Sequence, residues 1–183
     1  MAKVAIFFAN GFEEIEALTV VDLLRRAGIE IDMISVTGDK TVTGSHKIPV
    51  MVDSLIENIT TDDYDMLVLP GGMPGTVNLE MCERLQDAIA DFNNKGKLLS
   101  AICAAPGVFG RKGILEGRKA SIFPGLESEL KGANVSYDEV SVDGHFTTSR
   151  GMGTAIPFGL AIIERFQGKE AANEMAQKIV FNR

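Results

Sequence analysis

One cysteine in this chain stands where a nucleophile could be made. Ser100-Ala101-Ile102-Cys103-Ala104-Ala105-Pro106 joins an apolar run, residues 97–102, to a helix-like stretch, residues 104–112. A nucleophile on a sharp strand-to-helix turn projects its reactive atom above the sheet, and the turn closes only with small neighbours. Ser100, Ala101, Ala104, Ala105 and Gly107 are all small. Pro106 lacks an N–H, which is no loss in the first turn of a helix. Free N–H groups and the positive dipole end at such a helix start lower a thiol pKa from its free value of about 8.5. The plainer reading is a small buried hydrophobe, as most free cysteines are. From this stretch alone both readings stand.

Few other groups carry chemistry. Gly71-Gly72-Met73-Pro74-Gly75 directly follows an apolar run that ends at Leu69. Adjacent glycines let the backbone approach a ligand and turn its N–H groups inward. With the N–H of Ala104 they would stabilise an oxyanion. A tight turn is the alternative, and the Gly-Lys-Ser/Thr ending of a phosphate loop is missing. Glu13, Glu14 and Glu16 open a helix. Acids in a first turn suit the dipole, which is enough for Glu13 and Glu14. Glu16 heads a row continued by Val20 and Leu23, so its carboxyl should be partly desolvated and held toward its protonated form. Protonated, it would donate a hydrogen bond to a thiolate; ionised, it would act as a base. His145 lies at a turn before Phe146, and His46 in an irregular arm, residues 42–52. Neither has the spacing of a Cys–His dyad. Cys82, beside Glu83, reads as a helix-face residue. Arg150, in Arg150-Gly151-Met152-Gly153-Thr154, would either line the site as a cation or make a structural ion pair.

The elements that must position these groups follow from hydrophobic periodicity. Residues 3–8 form a continuous apolar run, the pattern of a parallel strand buried on both faces. Residues 29–36 and 64–69 read as further strands, and 120–122, 140–142 and 146–149 as short ones. Helices are expected over 13–27, 81–94, 154–166 and 169–181. Strands alternate with helices, so the class is α/β: a mostly parallel sheet with helices on both faces, in one domain over residues 1–183. Ligands of such sheets sit beyond the carboxyl ends of the strands, near a switch in strand order. The loops at 9–12, at 70–75 and at Cys103 all fall there.

Composition narrows the partners. A chain of 183 residues that is 45% hydrophobic can bury a sizeable core. Its net charge of -7 and lack of a basic run disfavour nucleic acid and anionic membranes. Two cysteines make neither a disulfide framework nor a metal site. No apolar run is long enough to span a bilayer. Glu13-Glu14 follows the first strand too closely for a secretory signal, so a cytoplasmic location is expected.

Four motifs together resemble the ThiJ/PfpI superfamily, in the branch of the parkinsonism-associated deglycase. They are Gly11-Phe12-Glu13-Glu14-Ile15-Glu16, Leu69-Pro70-Gly71-Gly72-Met73-Pro74-Gly75, Ala101-Ile102-Cys103-Ala104-Ala105-Pro106 and Thr148-Ser149-Arg150-Gly151-Met152-Gly153-Thr154. The resemblance implies a flavodoxin-like sandwich, related to class I glutamine amidotransferases, and a homodimer. It implies that Cys103 is the reactive thiol and Glu16 the carboxyl that hydrogen-bonds it. Gly72, next to Gly71, and Ala104 match the positions whose N–H groups form the oxyanion pocket. The chain also departs from the pattern. Phe123, aligned through Pro124, stands where the branch's best-known member has a His. Ala104 follows Cys103 where the protease-like branch has a His, so peptidase activity is not expected. His46 stands at an arm position that is Arg in that member; in the family this arm reaches toward the dimer partner's site, where His46 would supply a cation. The activity implied is cofactor-free and metal-free: glyoxalase chemistry on small 2-oxoaldehydes, or deglycation of their early adducts, slow for want of the His. The alternative is a redox-sensing stress protein or chaperone whose Cys103 is oxidised to sulfinic acid.

Overall fold

The computed structural model describes residues 2–182. In chain order its elements are β1 (Lys3–Phe8), α1 (Glu14–Arg26), β2 (Glu30–Ser35), β3 (Thr41–Thr43), β4 (Pro49–Met51), β5 (Ser54–Leu55), β6 (Met66–Leu69), α2 (Gly75–Glu80), α3 (Glu83–Lys95), β7 (Leu98–Ile102), α4 (Pro106–Arg111), β8 (Lys119–Ala120), β9 (Asn134–Val135), β10 (Val140–Asp143), β11 (Phe146–Ser149), α5 (Ala155–Gln167) and α6 (Lys169–Lys178). Seven strands form one sheet in the order β10-β11-β7-β6-β1-β2-β5. All neighbours pair in parallel except β10 with β11.

The alternation along β1 divides the core. Val4, Ile6 and Phe8 join a cluster with the apolar stripes of α1, α5 and α6. Ala5 and Phe7 face the other way, into a cluster with Leu85, Ile89 and Phe92 of α3 and Val108 and Phe109 of α4. A sheet covered on both faces needs strands that are apolar throughout, and the four residues of β6 are all buried. The α/β class with a mostly parallel central sheet is therefore as expected. The order of strands turns back beside β1: the chain runs outward through β2 and β5, then returns to lay β6 on the other side. The loops after β1 and β6 flank this switch point, and Cys103 follows β7, the next strand along.

Several boundaries differ from the sequence reading. α2 was not expected, because Pro74 and the glycines before it mark a loop and the helix has only six residues. α4 begins at Pro106, so 104–105 form a turn rather than helix. β8 pairs with β9 outside the main sheet. The arm at 42–52 is a small hairpin, β3 with β4. Among the described residues no helix is long and apolar enough to cross a membrane.

Candidate functional site

Cys103 follows β7 with φ at +65°, a left-handed value that few residues with a side chain adopt. Such strain costs about 1–3 kcal/mol and persists where the surroundings over-determine it. Here the N–H of Cys103 donates to the Ser149 carbonyl at 3.0 Å, and its own carbonyl accepts from the Phe123 N–H at 2.9 Å. The peptide is thus held from β11 on one side and from the segment after β8 on the other.

Glu16, in the first turn of α1, is 1% exposed. Its Oε2 accepts from the Gly71 N–H at 2.9 Å, and its carboxyl lies close enough to the Cys103 thiol for each to shift the other's titration. Gly71 passes between the two side chains. A Cβ there would stand 2.5 Å from the Cβ of Cys103 and 2.6 Å from Oε2 of Glu16, so nothing larger than glycine fits. Gly72 takes φ +92°, and its N–H and that of Ala104 lie close enough to the thiol to lower its pKa. The loops are stitched together: Glu13 N–H donates to the Gly71 carbonyl at 2.9 Å, and Gly75 N–H to the Gly11 carbonyl at 3.1 Å.

The electrostatics are those of two acids sharing a dry space. Burial, with the nearby Glu13 charge, pushes Glu16 up to about 7 against the hydrogen bonds from Cys103 and Gly71. Burial and then the Glu16 carboxylate push the Cys103 thiol up to about 12, more strongly than the Ala104 and Gly72 N–H groups pull it down. This corrects the expectation of a lowered thiol pKa. A six-residue helix that starts only at Pro106 is outweighed by desolvation and a like charge.

Phe123 is half-exposed at the rim. Its Cδ2 lies 3.3 Å from where a Cβ on Gly151 would stand, and Oε1 of Glu16 lies 4.0 Å from the same point. Arg150 is held at Tyr137, with its Nε buried and unpartnered among the described residues. Its Nη1 donates to the Tyr137 carbonyl at 3.4 Å and its guanidinium lies 5.9 Å from the centre of the Tyr137 ring. His46 engages its own chain: Nδ1 is 2.9 Å from Oε2 of Glu14 and 3.6 Å from Oε2 of Glu13. His145 pairs with Asn93 at 3.0 Å. Neither histidine is hydrogen-bonded to Cys103.

Glu14 is more than a dipole residue, which corrects the reading of it as a helix-start acid. It is 4% exposed, accepts from the His46 N–H at 2.7 Å, and meets the Ser45 hydroxyl at 3.3 Å. Burial works against its charge, but the His46 ring and backbone N–H groups outweigh it and hold its pKa low. No local pattern signals this contact, which spans 32 residues. Donor atoms of Glu13, Glu14 and His46 lie within 4.8 Å of one another, a grouping that could hold a metal ion; Cys103 and Glu16 are not part of it.

A family model described as the DJ-1/PfpI family matches residues 2–165. Protein DJ-1 homolog B of Arabidopsis thaliana is 37% identical over 97% of this chain but only 41% of its own length. Homolog A is 38% identical over 94% of the chain and 45% of its own length, so the chain spans less than half of either plant relative. Protein dj-1beta of Drosophila melanogaster is 35% identical over 98% of both. Among solved structures, oxidised Toxoplasma gondii DJ-1 superposes with a TM-score of 0.96 at 34% identity, covering 100% of each chain. Drosophila melanogaster DJ-1beta does so with 0.93 at 31%, covering 100% of this chain and 99% of the other. With a match along most of the sequence and along nearly the whole of a relative, the chain belongs to the DJ-1/PfpI family.

Proposed function

We propose that the chain is a cysteine-dependent enzyme that needs no cofactor and converts small 2-oxoaldehydes, or releases them from early glycation adducts. The observation that carries this is the threading of Gly71 between Cys103 and a buried Glu16, which leaves sulfur, carboxyl and two N–H donors around one space. Glu16, with a pKa of about 7, is poised for proton transfer at neutral pH. A high thiol pKa means that no free thiolate need accumulate. The Glu16 carboxylate takes the thiol proton as sulfur bonds to the aldehyde carbon. The carbonyl electron pair moves to oxygen, held by the N–H groups of Gly72 and Ala104. Protonated Glu16 returns the proton to that oxygen, giving a hemithioacetal. Its carboxylate then removes the hydrogen from the former aldehyde carbon and delivers it to the adjacent carbon, while the hydroxyl proton passes to the neighbouring oxygen. The product is a thioester of a 2-hydroxy acid, which water cleaves to free the acid and the thiol. One carbon is oxidised and its neighbour reduced, so no external redox partner is consumed.

The test is appearance of the 2-hydroxy acid from methylglyoxal, with wild type, Cys103→Ala and Glu16→Gln. Wild type should turn over and both variants should lose at least about a hundredfold, the low end of general acid–base help. No acid formed by wild type overturns the reading.

A second reading is favoured by the same donors. N–H groups and a carboxyl around the sulfur would stabilise a sulfinate, and a similar structure is of a relative in oxidised form. A gain of two oxygens on Cys103 at low peroxide, with Cys82 unchanged, would support it. The chain acts as a homodimer in this proposal. An apolar groove of about 650 Å³ runs along α1 and the arm, lined by Ile15, Leu18, Ile48, Ile156 and Ile179, and Ile15 and Ile48 are half exposed.

A further inference from the structure

Resting on the enzymatic reading above, we propose that this site selects uncharged 2-oxoaldehydes with an apolar, preferably aromatic, substituent, and that Phe123 is the residue that sets this preference. Two independent features point there. The first is the rim. Phe123 is tied to the nucleophile through its N–H on the Cys103 carbonyl, and its ring flanks Gly151 on the side where Oε1 of Glu16 also lies. Met73 follows the Gly72 donor and Met152 follows Gly151, and all three apolar side chains are about half exposed or more. The loops that carry these side chains meet at the nucleophile, and the Phe123 ring offers area to a substrate's tail that a methyl group cannot use.

The second feature is charge. Glu16 and Cys103 flank Gly71, whose built Cβ would stand 2.6 Å from Oε2 of Glu16 and 2.5 Å from the Cβ of Cys103, and Glu13 lies close enough to raise the Glu16 pKa. Arg150 is turned to Tyr137 through Nη1, with its Nε buried and unpartnered among the described residues, and His46 lies on Glu13 and Glu14. A carboxylate or phosphate on the substrate would enter beside the carboxyl groups of Glu16 and Glu13. Specificity thus has an attractive part, the ring, and a repulsive part, the carboxyls.

Two measurements separate this inference from the reading it rests on. Turnover of phenylglyoxal against methylglyoxal should differ by about tenfold in kcat/KM, from the extra apolar area covered by the rim. That ratio should fall toward one in Phe123→Ser and survive in Phe123→Leu. Alkylation of Cys103, read by peptide mass and normalised to a cysteine-containing peptide, needs no turnover. Iodoacetamide should outpace its anionic counterpart iodoacetate by about tenfold or more. Phenacyl bromide should outpace bromoacetone, and Phe123→Ser should remove that advantage. If wild type turns over neither oxoaldehyde, the enzymatic reading fails while the alkylation pairs still decide the selectivity of the site. Equal normalised rates for iodoacetate and iodoacetamide, or a phenyl preference that Phe123→Ser leaves intact, would overturn the proposal.

Discussion

Glu16→Gln should make the protein more stable at neutral pH, and the gain should grow with pH. The folded-state pKa of Glu16 is raised, from 4.5 to about 7. A carboxyl raised in this way favours folding when protonated. Its contribution is full below pH 4.5 and is lost as pH rises through about 7. Each pKa unit is worth 1.36 kcal/mol, so the ionised carboxyl costs about 3 kcal/mol of stability once the pH exceeds its folded pKa. Glutamine keeps the shape and an acceptor for the Gly71 N–H but cannot charge. Urea unfolding of both proteins from pH 4.5 to 8.5 measures the effect. The stability of Glu16→Gln minus that of wild type should climb by about 3 kcal/mol across this range. Glu14→Gln is the internal control, because the Glu14 pKa is lowered from 4.5: its difference should stay flat across this range, and wild type should lose its advantage only as pH falls below 4.5. A Glu16 difference that stays flat with pH would refute the claim that this carboxyl is desolvated in the folded protein.

Three further outcomes are expected. Glu16→Leu should lower the pKa of the Cys103 thiol, since it removes the like charge beside the sulfur; the pH profile of iodoacetamide labelling reports this, and an unchanged profile would mean the two groups do not touch. Phe123→His should raise oxoaldehyde turnover at neutral pH more than about tenfold, because the ring lies on the side of Gly151 where Oε1 of Glu16 also lies and general acid–base help is worth about 10²–10⁴-fold. No gain would mean that Glu16 alone already carries the protons. Ile15→Asp should shift light-scattering mass toward that of a single chain, as it places a charge in the apolar groove on α1; an unchanged mass would remove that face from the proposed dimer contact.

What the sequence determined by itself is what is set by local pattern. The run Val4 to Phe8 is apolar at every position, and such a run is stable only as a strand covered on both faces, as β1 is. The small residues around Cys103 permit one sharp turn and little else, and the glycines after β6 can let two loops meet. The fold class and the three loops at the carboxyl ends of the strands follow from these features. What tertiary structure alone decided depends on groups far apart in the chain. Glu16 and the Gly71 N–H are 55 residues apart, and only their packing gives the carboxyl its desolvation and the thiol its high pKa. Helix-dipole reasoning at Cys103 pointed the other way because it sees a helix start but not the acid buried across the sheet end. Likewise, the apolar spacing of α1 could mark Glu16 as inward-facing, but not that the arm would fold back to bury Glu14 under Ser45 and His46. The direction of Arg150 was also undetermined until the Tyr137 carbonyl and ring were in place to receive it. Charge in a buried site is set by the sum of its neighbours, and a one-dimensional pattern does not contain that sum.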